Sequence, residues 1–213
     1  LVENHIPYGV ISWRNLGTDL RRHRTVILPK VLMLDEAEVA AFREYVREGG
    51  ALYASGAASL VNTDGARRTD FALSDVFGVS YMDETIEDFT YIAPGNEAES
   101  LFPGYSARYP LGLPSSQMVV RALPGARVLG HTALPYTNPS DPSLYASIHS
   151  NPPGVATTNP AVVLNTFGRG RAIYVAADLE SYEMHHDTLI SLVRLLAQPF
   201  SFEAQAPKAV EIT

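Results

Sequence analysis

The chain has 213 residues, 46% of them apolar and 18% charged, with 15 glycines, 15 prolines, no cysteine and a formal net charge of −7. Without cysteine there is no disulfide scaffold, no thiolate metal site and no cysteine nucleophile. Sixteen Lys and Arg against 23 Asp and Glu is the wrong sign for affinity to phosphate backbones, so nucleic acid is not an expected partner.

Residues 1–6 have neither the basic start nor the apolar core of a signal peptide, and the sequence opens without Met, so it reads as a piece of a longer protein. Two short apolar runs, at 8–12 and 24–28, are predicted strands, the second ending at Pro29. Asp35 followed by Glu38 has the spacing of a capping box. Val39, Phe42 and Val46 then make one apolar stripe at helical spacing, and Gly49-Gly50 stops the helix. A buried strand follows at 51–55 and ends in Gly56. Strand, capped helix and strand this close form a crossover unit, which sets the strands parallel. In such sheets ligands bind beyond the carboxyl ends of the strands, here residues 29–31 and 55–59.

The middle differs in character. Eleven of the 15 prolines lie between Pro94 and Pro160, and residues 83–99 hold six acidic residues with no Lys or Arg. Long helices are excluded there, and short strands are predicted at 117–121, 127–131 and 144–149, separated by turn-formers. The stretch from about 80 to 160 reads as an irregular insertion or a sheet extension on the α/β core. Toward the end, apolar runs at 161–167 and 171–176 flank Gly168-Arg169-Gly170, the pattern of an antiparallel hairpin. Leu189, Leu192, Val193 and Leu196 predict a closing helix over 187–196, and the tail from 198 reads as an edge strand or a linker.

Several of these pieces, in this order, resemble one family. They are Val26-Ile27-Leu28-Pro29, the helix from Asp35, Arg43-Glu44-Tyr45-Val46 with Gly49-Gly50, and Leu52-Tyr53-Ala54-Ser55-Gly56. Asp70-Phe71-Ala72-Leu73, Asp75-Val76-Phe77-Gly78-Val79 and Gly168-Arg169-Gly170-Arg171-Ala172-Ile173-Tyr174 fit the same series. Together they resemble the class I glutamine-amidotransferase-like domain that serves as the trimerisation domain of family 42 β-galactosidases. The resemblance implies a three-layer, flavodoxin-like α/β fold with a mostly parallel sheet, as one domain over 1–213. It implies a catalytic barrel in the same parent protein and self-association into a homo-oligomer. It also implies that residues 1–6 end the domain's first helix, with the first strand lying before them.

Catalytic relatives of this fold carry a cysteine on the turn after a central strand. Ser55, Gly56 and Ser59 stand there instead, without the Gly-x-Ser-x-Gly pattern. His149, with Asn151 as an orienting partner, could line a crevice, against a plain turn fixed by Pro152 and Pro153. His185-His186-Asp187 offers imidazole beside carboxylate, but adjacent histidines diverge on any regular element, and Asp187 as a helix cap is the preferred reading. Asp178 and Glu180 share a strand face at a spacing compatible with a glycosidase pair, though such carboxylates usually flank a cleft from separate elements. The acidic run at 83–99 reads as a solvated face without a calcium-loop pattern. Trp13, near Tyr8 and Arg14, suits sugar stacking or an interface equally.

The sequence thus predicts a non-catalytic accessory or oligomerisation domain of a glycoside hydrolase, with no cofactor and no metal. The alternative is a carbohydrate-binding or hydrolytic domain in its own right, with His149, Glu180 and His185 around the carboxyl ends of the strands. No apolar run approaches the roughly 20 residues of a membrane span, so no membrane partner is expected. The chain reads as soluble, with the cytoplasm the preferred compartment.

Overall fold

The structure is a computed structural model that describes residues 1–137, 141–147, 150–197, 204 and 206–210. Along the chain come α1 (Leu16–Asp19), β1 (Thr25–Leu28), α2 (Glu36–Arg47), β2 (Ala51–Ser55), α3 (Ser74–Phe77) and β3 (Val79–Glu84). Then follow β4 (Thr90–Pro94), β5 (Leu111–Leu113), β6 (Met118–Ala122), β7 (Arg127–Pro135), β8 (Pro153–Phe167), β9 (Gly170–Val175) and α4 (His186–Ala197).

The predicted crossover unit is present. Asp35 accepts from the Glu38 backbone N–H at 2.7 Å, and Glu38 accepts from the Asp35 N–H at 2.8 Å, so two open donors at the start of α2 are satisfied reciprocally. Val39, Phe42 and Val46 are buried as the stripe requires. Beyond the helix Gly49 takes φ +118°, a conformation that L side chains resist. β1 and β2 are then parallel, and β9 joins β2 in parallel on its other side.

From β9 onward the sheet changes sense. Its seven strands run in the order β1-β2-β9-β8-β7-β4-β5, and every pairing from β9 to β5 is antiparallel. The sheet is therefore mixed, which corrects the expected mostly parallel arrangement. The reason is local: only β1 and β2 are joined by a helical crossover, whereas the turn Gly168-Arg169 returns the chain directly and forces β8 and β9 antiparallel.

The proline-rich stretch extends the sheet, as one of the two readings expected, and supplies β3 to β7. Prolines are tolerated because of where they fall. β8 pairs with β9 only from Val162 onward, so Pro153 and Pro160 lie where β7 is its sole partner, beside register shifts around Gly130 and His131. The strand predicted at 117–121 is β6, but it pairs with β3 in a separate two-stranded sheet. Two further expectations fail. Residues 8–12 form no strand, and residues 144–147 are turn and coil, with 148–149 outside the described residues.

Both faces of the main sheet are covered. On one face α2, α3 and the β3–β6 pair bury Val26, Leu52, Val163 and Tyr174. On the other, α4 and the segment around Phe102 bury Tyr53, Ile92, Val162 and Ile173. Phe71, Phe77 and Tyr174 form the aromatic centre of the first layer, with Tyr174 stacked on Phe77 at 5.5 Å between centroids. The two-stranded sheet is tied to the main one by Gln117, which is fully buried. Its amide donates to Thr90 Oγ1 at 2.9 Å and to the Tyr91 carbonyl at 3.0 Å, and its oxygen accepts from Thr132 Oγ1 at 3.0 Å. Removing that amide strands buried polar groups, each costing about 1–3 kcal/mol. Gln117→Leu is expected to lower the unfolding free energy in a urea titration by about 2 kcal/mol or more, although leucine is apolar and close in size.

Candidate functional site

The carboxyl ends of β1, β2 and β9 meet at the rim where the crossover places chemistry. Ser55, the last residue of β2, is 0% exposed. It accepts from the Lys30 backbone N–H at 3.0 Å and donates its hydroxyl hydrogen to Glu180. The other Glu180 oxygen accepts from Tyr53 Oη–H at 3.0 Å. Lys30 Nζ lies 3.4 Å from Asp178 at the edge of this cluster. Burial, and then the neighbouring Glu180 carboxylate, pushes the Tyr53 phenol well above its ordinary value. Glu180 is thus clamped between the Ser55 and Tyr53 hydroxyls.

The turn after β2 is held just as closely. Gly56 has φ +55° and its carbonyl accepts from Tyr174 Oη–H at 2.7 Å. Ser59 sits at φ +62°, fully buried, with its Oγ accepting from the Leu73 N–H at 3.3 Å. Neither serine can meet a substrate: both are sealed from solvent, and the hydroxyl hydrogen of Ser55 is already given to a carboxylate.

His185 is buried at the opposite edge of the sheet. Its Nε2–H donates to the Gly112 carbonyl of β5 at 2.6 Å, and this fixes Nδ1 as the acceptor for Tyr105 Oη–H at 2.9 Å. Burial pulls the imidazole below its ordinary value, partly offset by the bond to Gly112. No hydrogen bond joins Glu180 to His185 among the described residues, and His149 lies outside them. Asn151 is placed structurally: its Oδ1 accepts from Thr137 Oγ1 at 2.6 Å, and its carbonyl accepts from Tyr91 Oη–H. α4 begins at His186, so Asp187 lies inside its first turn and is not the cap. Among the described residues no group of three His, Cys, Asp or Glu side chains could hold a metal ion. Trp13 is 72% exposed, with the Arg14 guanidinium 5.4 Å from its ring centre.

Sequence reasoning missed three features of the site. Only the fold sets Tyr53 on Glu180 and Lys30 on Asp178. A hollow of about 650 Å³ lies at the amino ends of the parallel strands, lined by Arg21, Arg24, Arg169 and Arg171 with Glu48. A second groove, of about 790 Å³, runs along β1. Neither was legible, because each draws its lining from segments far apart in the chain.

The profile of the β-galactosidase trimerisation domain matches residues 1–201. The chain belongs to that family. No curated protein sequence matches the chain. The family membership agrees with the solved structures it resembles. The β-galactosidase of Rahnella sp. R3 superposes with a TM-score of 0.69 at 23% identity, over 99% of this chain and 28% of that one. Gan42B, a GH42 β-galactosidase from G. stearothermophilus, gives 0.61 at 21% identity over 91% of this chain and 24% of its own. The α-L-fucosidase isoenzyme 2 of Paenibacillus thiaminolyticus gives 0.70 at 18% identity, over 92% of this chain and 28% of that one. The chain spans less than a third of the length of each of these enzymes. No helix among the described residues is long and apolar enough to cross a membrane.

The His185 bonds carry a pH consequence. A histidine whose folded value is depressed contributes stability that is present above the ordinary 6.5 and is lost as pH falls through the folded value. Unfolding free energy measured by urea titration is expected to decline below pH 6.5, and His185→Gln, whose amide can still donate to Gly112, is expected to flatten that decline.

Proposed function

We propose that this chain is a non-catalytic assembly domain of a longer glycoside hydrolase, in which a catalytic barrel of the same polypeptide performs the hydrolysis. Residues 1–213 act in it as a single domain of the amidotransferase-like, flavodoxin-like kind, with α2 as the crossover between the parallel strands β1 and β2. The observation that carries the reading is Ser55. It ends the strand before the turn on which catalytic relatives of this fold are expected to carry their cysteine, yet it is fully buried and its proton is given to Glu180. A group so committed braces a turn.

Two further points support the reading. The same fold occurs in a β-galactosidase and in an α-L-fucosidase, enzymes for different sugars, as expected if specificity resides outside it. His185, one of the three residues of the alternative site, has both ring nitrogens engaged in holding β5 and Tyr105. Carbohydrate then meets the barrel, and a cytoplasmic location is part of the same proposal.

Size exclusion with light scattering on the 213-residue chain is expected to give about three times the 23.2 kDa protomer mass. A strict monomer at high concentration, or glycosidase turnover by the chain alone, would contradict the proposal.

A further inference from the structure

The carboxyl ends of the parallel strands are closed by hydrogen bonds between their own side chains, but their amino ends open on the hollow of about 650 Å³. Three segments wall it: residues 21–24 before β1, residues 48–51 between α2 and β2, and residues 166–171 around the β8–β9 turn. The Ala51 N–H donates to the Arg24 carbonyl at 2.9 Å and the Arg171 N–H to the Gly50 carbonyl at 3.3 Å, so the backbones of all three are fixed to one another. Four of the sixteen Lys and Arg residues of the chain line this one space, and Glu48 is the one carboxylate among the described residues that do.

The guanidiniums have little to balance them. Arg21 lies 3.8 Å from Glu48, with its side chain 74% exposed. Arg171 donates to the Leu196 carbonyl at 2.9 Å, in the last turn of α4. Arg169 makes no ion pair among the described residues. Glu48 and the ends of α2 and α4, each helix end worth about half a charge, supply about two negative charges. Arg21, Arg169 and Arg171 bring three positive ones even before Arg24 is counted. Tyr45 adds no charge: its hydroxyl donates to the His23 carbonyl at 3.1 Å, and burial pushes its phenol up to about 12.

Charge is also separated along the strand direction. At the opposite end Glu36 and Glu38 lie in the first turn of α2 and Asp187 in that of α4, so a chain of net charge −7 presents a basic face at the hollow. Guanidiniums gathered without matching carboxylates repel one another. An oxyanion that accepts from several of them relieves that repulsion, and the planar guanidinium fork holds such oxygens through paired N–H···O bonds.

We propose that the hollow is an oxyanion site that takes a phosphate group, with Arg21, Arg169 and Arg171 as its donors. A phosphate offers three strong acceptor oxygens to the three guanidiniums, where a carboxylate offers two. The hollow is larger than one phosphate group and lies within the roughly 300–1,000 Å³ of small-molecule pockets, so the free ion and a phosphate ester both fit. The site is separate from the Ser55–Glu180 rim and does not rest on the assembly reading.

Titration of the 213-residue chain with inorganic phosphate, at an ionic strength held constant with NaCl, tests it through the NMR shifts of the Gly49, Gly50 and Gly170 amides. Saturable shifts at these glycines are expected. Arg169→Ala and Arg21→Ala are each expected to weaken the affinity on the order of 10-fold, while Arg108→Ala, which removes the same charge outside the hollow, leaves it unchanged. A hexose phosphate titrated in parallel distinguishes the sources: tighter binding than the free ion assigns the remaining space to the ester, and equal or weaker binding assigns the site to the ion. Shifts that never saturate, or that saturate equally in Arg169→Ala and Arg21→Ala, would overturn the proposal. An equal loss in Arg108→Ala would do the same, since it means attraction to overall charge. Shifts that appear only in dilute protein mean that carboxylates of a second copy hold the hollow, and overturn it too. A monomer in light scattering removes the assembly reading and leaves this one standing.

Discussion

The fold turns on the contact between the Gly168-Arg169-Gly170 turn and the end of the α2 crossover. The Arg169 N–H donates to the Arg47 carbonyl at 3.0 Å, and the Arg171 N–H donates to the Gly50 carbonyl at 3.3 Å. A Cβ at Gly170 would meet the Val46 and Gly50 carbonyl oxygens at 2.2 Å each, well inside contact distance. Only a residue without a side chain lets β9 enter beside β2 at this point. Because β9 is the one strand paired with both β2 and β8, this approach joins the parallel half of the sheet to the antiparallel half.

The chemistry of the rim follows from that junction. β9 brings Asp178 and Glu180, just beyond its carboxyl end, to Lys30, Tyr53 and Ser55 at the ends of β1 and β2. In an enzyme such a meeting of elements can assemble a nucleophile and its base. Here each group closes on another and the Tyr53 and Ser55 side chains are fully buried, so the same geometry becomes a brace. His185 works similarly at the far edge, where an imidazole takes the place of a strand. Polar groups that resemble a site one at a time are, in the fold, hydrogen-bond closures of sheet ends and edges.

Local signals in the sequence were reliable where the physics is local. The capping box of Asp35 and Glu38, the Gly49-Gly50 stop, the hairpin at Gly168 and the α4 stripe depend on neighbours within a few residues, and each forms as read. What depends on distant partners was not legible. Residues 8–12 have a strand pattern but no pairing partner among the described residues. The prolines of β8 suggested irregular chain because their tolerance depends on β9 ending at Val175, opposite Val162. Glu180 invited a catalytic reading because nothing near it in sequence reveals Tyr53 and Ser55, more than 120 residues away. The resemblance identified the family from segments that recur in order, and it overstated the parallel character because the antiparallel strands come from the stretch it did not cover.

The central claim is that the Gly170 approach holds the two halves of the sheet together, and thermal and urea unfolding of Gly170→Ala beside Gly17→Ala test it most directly. Gly17 lies in α1, where an added methyl group would meet nothing within 4 Å, so its substitution is expected to leave stability unchanged or raise it by about 0.5–1 kcal/mol. Gly170→Ala is expected to cost more than about 2 kcal/mol, since neither opposing carbonyl can move without breaking α2 or the β2 ladder. Equal stability of the two variants would contradict the account.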